Sequence, residues 1–244
     1  MTVDQPDTGA VRVRMRGATP ADAPERIAVM LGTGVVVAPW ESRTRRFPWL
    51  YRLARRLRGL RPPRYPSLWE ALCNAVVFQQ ISLVAAAAIM ERLVLRFSSP
   101  VRAGDTKLYP FPAAASIAGA GEEELRGLGL SRQKAAYVRA IAREHGAFDV
   151  AALRAAPLDA AVVALRALPG IGVWSANVAL LRGCGRLDAF PPGDSGVRAA
   201  VHALSGDSGV DLSELLHELG DRRGLLYFHL LLGRLQAARV TTSL

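Results

Sequence analysis

The 244-residue chain is poor in several things, and each shortage narrows what it can be. Cys73 and Cys184 are its only cysteines, too few for a disulfide framework or a four-cysteine iron–sulfur site. Lys107 and Lys134 are its only lysines, so nearly all positive charge is guanidinium. Its four histidines, His145, His202, His217 and His229, are scattered without metal-ligand spacing. Gly119-Ala120-Gly121 lacks the flanking strand of a dinucleotide-binding loop, and no P-loop is present. No apolar run has the length of a membrane span, and residues 1–6 do not resemble a signal peptide. The expectation is a soluble, cytoplasmic, intracellular protein with no membrane partner.

What is present is an ample core and an excess of positive charge. Half the residues are hydrophobic, and the formal net charge is +10. That balance favours an anionic partner, either nucleic acid or a membrane surface. Residues 43–64 concentrate nine arginines, with Trp49, Leu50, Leu53, Leu57 and Leu60 interleaved at helical spacing. Such a stretch is either an electrostatic contact for DNA or a solvated helix face with snorkelling side chains.

Residues 168–176, LPGIGVWSA, join two apolar helical runs through one proline and two glycines. The spacing predicts a tight hairpin between helices. Gly170 and Gly172 permit positive φ and leave no Cβ in the way of a close visitor. The free N–H groups of the following helix, around Gly170, Ile171, Gly172, Val173, Trp174 and Ser175, suit a phosphate. Twenty positions after Trp174, Asp194 sits in a Pro/Gly-rich loop, FPPGDSGVR from Phe190, directly before another helical run.

Together these two segments resemble the helix-hairpin-helix superfamily of base-excision DNA glycosylases, most closely its alkylation-repair branch, 3-methyladenine DNA glycosylase II. The likeness spans residues 62–239. The resemblance implies a mainly α fold, two helical subdomains flanking a cleft, here with a short α+β lead-in. It implies residues 1–60 as a reduced N-terminal region with an arginine-rich helix, and 61–244 as the glycosylase domain. The partner implied is double-stranded DNA containing damaged bases, bound by a monomer.

A base glycosylase extrudes a nucleotide and breaks a C1′–N bond through a transition state resembling an oxocarbenium ion. Asp194 is the expected catalytic carboxylate, stabilising the sugar cation and orienting or activating water. As a residue just before a helix it also has the chemistry of an N-cap. Asp188 is expected to hold the loop. Trp174, with Phe190, Tyr227 and Tyr137, is expected to form a base pocket that attracts a cationic methylated purine. Gln79 and Gln80 occupy the family's wedge position, without the aliphatic residue some relatives carry. Asp221-Arg222-Arg223 lacks the tryptophan that often precedes the arginine there. No cofactor is required, although family hairpin carbonyls, here Leu168 and Gly170, can hold Na⁺ or K⁺. Lyase members place their Schiff-base lysine where this chain has Trp174, which implies a monofunctional enzyme. Two alternatives stay open: a glycosylase for uracil- or hypoxanthine-type deaminated bases, and a non-catalytic DNA-binding module.

Along the chain, strands are expected at residues 11–16 and 34–38 and a short helix at 23–31. Ser67 and Glu70 have capping-box spacing ahead of the next helix. Further helices are expected at 83–97, around 116, at 122–128, 131–145, after Pro157, and at 197–204, 212–219 and 225–238. A loop is expected over 98–112.

Overall fold

The computed structural model describes residues 2–7, 10–14, 21–206 and 209–242. Helices α1 (Ala23–Leu31), α2 (Ala38–Thr44) and α3 (Pro48–Arg56) lead into α4 (Leu68–Val77) and α5 (Leu83–Phe97). Five more follow: α6 (Ala114–Ala118), α7 (Glu122–Gly127), α8 (Arg132–Glu144), α9 (Val150–Ala155) and α10 (Leu158–Arg166). Helix α11 (Val173–Ala179) runs on into a wider π turn, Leu180–Cys184. Helices α12 (Ser195–Ser205), α13 (Leu212–Leu219) and α14 (Arg223–Thr242) complete the order. Two separate antiparallel ribbons join β1 (Thr2–Asp7) to β2 (Ala10–Arg14), and β3 (Val101–Ala103) to β4 (Thr106–Leu108). The architecture is mainly α, as expected.

Short polar side chains set where the helices begin. Ser67 Oγ accepts from Glu70 N at 3.1 Å, Ser82 Oγ from Ala85 N at 3.2 Å, and Ser131 Oγ from Lys134 N at 3.2 Å. Each bond satisfies one N–H that has no partner inside its helix. Helix α4 is buried on nearly every side, from Leu68 and Trp69 through Val77, with only Glu70 half-exposed. A helix apolar all round belongs in the middle of a fold. Around it gather α5 to α11, forming one apolar cluster that includes Leu93, Ile117, Val138, Ile141, Leu165 and Leu180. A second cluster unites Trp40, Trp49, Leu50 and Leu53 of α2 and α3 with Val197, Leu215, Leu219 and Leu226. Leu187 and Tyr227 pack against both clusters, so they mark the seam between two helical lobes.

Several expectations are corrected here. Residues 34–38 form no strand: the apolar run has no partner strand, and Pro39 helps start α2. The strand expected at 11–16 is present as β2, paired with β1, while Met15 and Arg16 lie outside the described residues. The loop expected over 98–112 contains the β3–β4 ribbon, turned at Gly104, whose φ is +63°. Helices α2 and α3, from the expected N-terminal region, supply part of the second cluster. The arginine stretch is also not one open stripe. Arg43 donates to Leu219 O (2.7 Å) and pairs with Asp221 (2.5 Å), and Arg46 pairs with Glu218 (2.5 Å). Arg61 donates to the carbonyl of Val35. These arginines fasten the second lobe.

One buried polar group in that lobe has a measurable signature. Trp40 Nε1 donates to His229 Nε2 at 3.0 Å, while His229 Nδ1 lies 2.8 Å from Leu225 O. The imidazole is therefore neutral with its proton on Nδ1, and protonating Nε2 would break the bond from Trp40. Burial lowers its pKa from 6.5 to about 4. A depressed histidine contributes stability that is complete above its unfolded pKa and is lost as pH falls through the folded one. Between pH 6.5 and 4 the protein should lose roughly 3 kcal/mol through this group. In His229→Gln, whose amide oxygen can still accept from Trp40, chemical denaturation across that window should show a flatter decline.

Candidate active site

The turn between α10 and α11 is tight because only one residue in it needs an unusual conformation. Gly170 has φ +79°, and a Cβ there would overlap the ring of Tyr137. Gly172 is different: its φ of −84° suits any residue, and a Cβ would meet nothing within 4 Å. It needs its missing side chain for neither backbone nor packing. Gly172 is the N-cap of α11, and no side chain caps that helix end. The N–H groups of Gly172, Val173, Trp174 and Ser175 thus have no partner within the helix, and the positive end of the dipole adds to them. Ile171 and Leu168 are buried beneath the turn, while Val173 is exposed.

The hairpin is held from behind by polar groups. Gln79 Nε2 donates to Gly170 O at 2.9 Å and to Ser175 Oγ at 2.8 Å. Lys134 Nζ donates to Val77 O at 2.8 Å and Gln79 O at 2.6 Å, satisfying carbonyls at the end of α4. Burial lowers the pKa of Lys134. Far from Trp174 in sequence, this lysine is close behind the hairpin in space. Gln80 is exposed and has φ +54°, the one described non-glycine residue with positive φ.

Trp174, the second residue of α11, reaches across the seam: its Nε1 donates to Asp194 Oδ2 at 3.0 Å. Asp194 Oδ1 accepts from Val197 N at 3.0 Å, so the carboxylate also caps α12. Two bonds from opposite lobes fix its orientation, and an ionised carboxylate retains further acceptor sites. Tyr227 sits in the same electrostatic neighbourhood. Burial first, then the negative charge of Asp194, push its phenol up to about 12, with Arg182 opposing. The Arg182 guanidinium lies over the Tyr65 ring at 4.3 Å. Asp188 takes a two-pronged contact from Arg186 at 2.9 and 2.5 Å, which holds its pKa down.

The expected site residues divide accordingly. Asp194, Trp174 and Tyr227 come together, and the hairpin lies at the start of the helix that carries Trp174. Phe190 is buried in the second cluster, against which Tyr227 also packs. Tyr137 is half-buried, with its ring on Gly170 and its hydroxyl accepting from Gln133 (2.6 Å). Of the two wedge candidates, Gln79 has its amide bound to the hairpin and Gln80 is exposed. The Ser175 side chain is buried and accepts from Gln79, which leaves only its backbone N–H for a ligand. Gly170 O accepts from Gln79, and Leu168 O accepts from Ile171 N at 3.1 Å. Each carbonyl accepts one hydrogen bond and keeps a second lone pair. No group of three potential metal-ligating His, Cys, Asp or Glu residues occurs among the described residues.

Comparison with known proteins matches residues 73–221 to the family described as HhH-GPD superfamily base excision DNA repair protein. DNA-3-methyladenine glycosylase of Bacillus subtilis (strain 168) is 30% identical over 170 residues, covering 69% of this chain. The match spans 56% of that relative's length. The solved structure of a 3-methyladenine DNA-glycosylase from Archaeoglobus fulgidus superposes with TM-score 0.75 at 28% identity, covering 91% of this chain and 78% of the other. An 8-oxoguanine glycosylase/lyase from Clostridium acetobutylicum, crystallised with double-stranded DNA, gives TM-score 0.72 at 15% identity, over 86% and 73% of the two chains. That last likeness is one of fold. Among the described residues no helix is long and apolar enough to cross a membrane.

The contrast between the two hairpin glycines is directly testable. Gly170→Ala should cost roughly 2 kcal/mol or more, from a strained φ and the overlap with Tyr137. Gly172→Ala should change stability by less than about 1 kcal/mol. Thermal melts of the two variants check this.

Proposed function

Because the chain belongs to the HhH-GPD superfamily of base excision DNA repair proteins, we propose that it is a monofunctional DNA glycosylase. Acting as a monomer on double-stranded DNA, it excises alkylated purines of the 3-methyladenine type by hydrolysis. The observation that carries this reading is the doubly anchored carboxylate of Asp194 at the seam, tied to Trp174 from one lobe and to α12 from the other. A developing oxocarbenium ion needs a negative charge already in place beside C1′, because charge that need not reorganise lowers the barrier most. The unused lone pairs of Asp194 orient the attacking water. The indole face of Trp174 stacks on the everted base, with the Tyr227 phenol, which stays protonated, beside it. An alkylated purine already carries positive charge, so it is attracted to an aromatic face and leaves readily.

The uncapped start of α11 holds a backbone phosphate of the flipped strand, and the bare Cα of Gly172 lets that strand approach. Of the two glutamines, Gln80 is the residue that enters the gap left by the nucleotide, because Gln79 is committed to the hairpin. The names of the Bacillus and Archaeoglobus proteins support 3-methyladenine as the substrate type. Monofunctional chemistry is supported by the placement of the lysines. Trp174 carries no amine, and the Lys134 amine is engaged by two carbonyls.

Asp194→Asn retains a good N-cap, so it should fold normally. Its rate of base release from a methylated duplex should fall at least about a hundredfold. Release at the wild-type rate would remove Asp194 from the chemistry. Borohydride should fail to trap the enzyme covalently on lesion DNA; efficient trapping would establish a Schiff base and overturn the monofunctional assignment.

A further inference from the structure

The end of the α11 helix opposite the hairpin opens on a shallow pocket of about 480 Å³. From Val173 to Cys184 the helix is roughly 18 Å long, so one phosphate cannot touch both ends. Four guanidinium groups line the pocket, from Arg64, Arg154, Arg186 and Arg222. Two carboxylates accompany them, and both are committed. Asp188 is gripped by Arg186, which also donates to Leu153 O (3.0 Å) and Ala156 O (2.5 Å). Asp221 is shared by Arg43 at 2.5 Å and Arg222 at 3.5 Å. Arg64 and Arg154 are left without a carboxylate partner among the described residues.

These two arginines are nevertheless held in position. Arg154 Nε donates to Cys184 O at 2.8 Å, which leaves its outer nitrogens free to face the pocket. The Arg64 guanidinium lies against Gly185, whose φ is +75°, and a Cβ there would overlap it. Burial, and after it the charge of Arg154, lower the pKa of Arg64. The remaining candidate counter-ion is the Cys184 thiol, and burial pushes it up to about 11, so it stays neutral. The carbonyl end of the helix offsets part of the repulsion between these two like charges, and an anion lying between them relieves the rest. An oxyanion with several oxygens matches two guanidinium forks.

We propose that this pocket binds a phosphate oxyanion between the Arg64 and Arg154 guanidinium groups, at the end of the helix opposite the hairpin. The phosphate comes either from solution or from the backbone of a DNA strand. The proposal stands whether or not the chain is a glycosylase, because its first test uses no DNA. Inorganic phosphate should raise the melting temperature of the wild type more than sodium chloride of equal ionic strength. The hairpin variant Gly172→Ala should keep that protection. Arg64→Gln/Arg154→Gln should lose it, with phosphate affinity reduced at least about tenfold. Should the double variant fail to fold, Arg154→Gln alone, altering an exposed side chain, serves for the same comparison. Duplex binding across a salt series then separates the sources. A slope of log affinity against log salt shallower by about one to two in the variant assigns the pocket to DNA. An unchanged slope with lost phosphate protection assigns it to free phosphate. Equal protection of wild type and variant overturns the proposal. So does protection no better than chloride together with an unchanged slope.

Discussion

The close crossing of α4 and the α11 helix is the contact on which the other features depend. A Cβ at Gly183 would lie 2.7 Å from that of Ala71, so only glycine lets the two helices approach this far. Ser175, Ala176, Asn177, Val178 and Ala179 are all buried on the same helix. Once it is wedged against α4, both of its ends are fixed. Its start carries the hairpin and Trp174, and its finish carries Cys184 and the arginine pocket. Packing of small side chains therefore sets the separation of two sites that share no side chain.

Polar groups then do what packing cannot. A buried helix end leaves carbonyls that must find donors. Lys134 supplies them at the end of α4, and in doing so fixes Gln79, which in turn grips Gly170 and Ser175. Tyr137 closes the set by lying on the bare Cα of Gly170. The hairpin is thus buttressed by α4 and α8 rather than by its own residues. Across the seam, the link from Trp174 to Asp194 is a charge-assisted hydrogen bond, which joins the lobes at the point where the proposed chemistry takes place.

How much of this could be read in the sequence followed from how local each signal was. Helix starts at Ser67, Ser131 and Asp194 were legible, because a cap is formed within four residues. The hairpin was legible through Gly170, and Asp194 through its loop. The β3–β4 ribbon was missed although Gly104-Asp105, between short alternating segments, is a hairpin signal. The three consecutive valines before Ala38 looked like a strand, but a strand needs a neighbour and none is supplied. The surroundings of Trp174, Phe190, Tyr137 and Tyr227 were not legible, since aromatic identity does not reveal which surface a ring meets. The arginine pocket was beyond reach for a plainer reason: it draws on residues 64, 154, 184–188 and 221–222.

Gln80 holds a left-handed backbone conformation, with φ +54°. A left-handed backbone costs a residue other than glycine about 1–2 kcal/mol, and glycine at this position would be free of that penalty. The chain instead presents a side chain on a bend that is already set between two capped helices. Preorganisation of this kind shifts an entropic cost from the moment of encounter to the moment of folding. In the role proposed for Gln80, the backbone that carries the side chain is already fixed before DNA arrives.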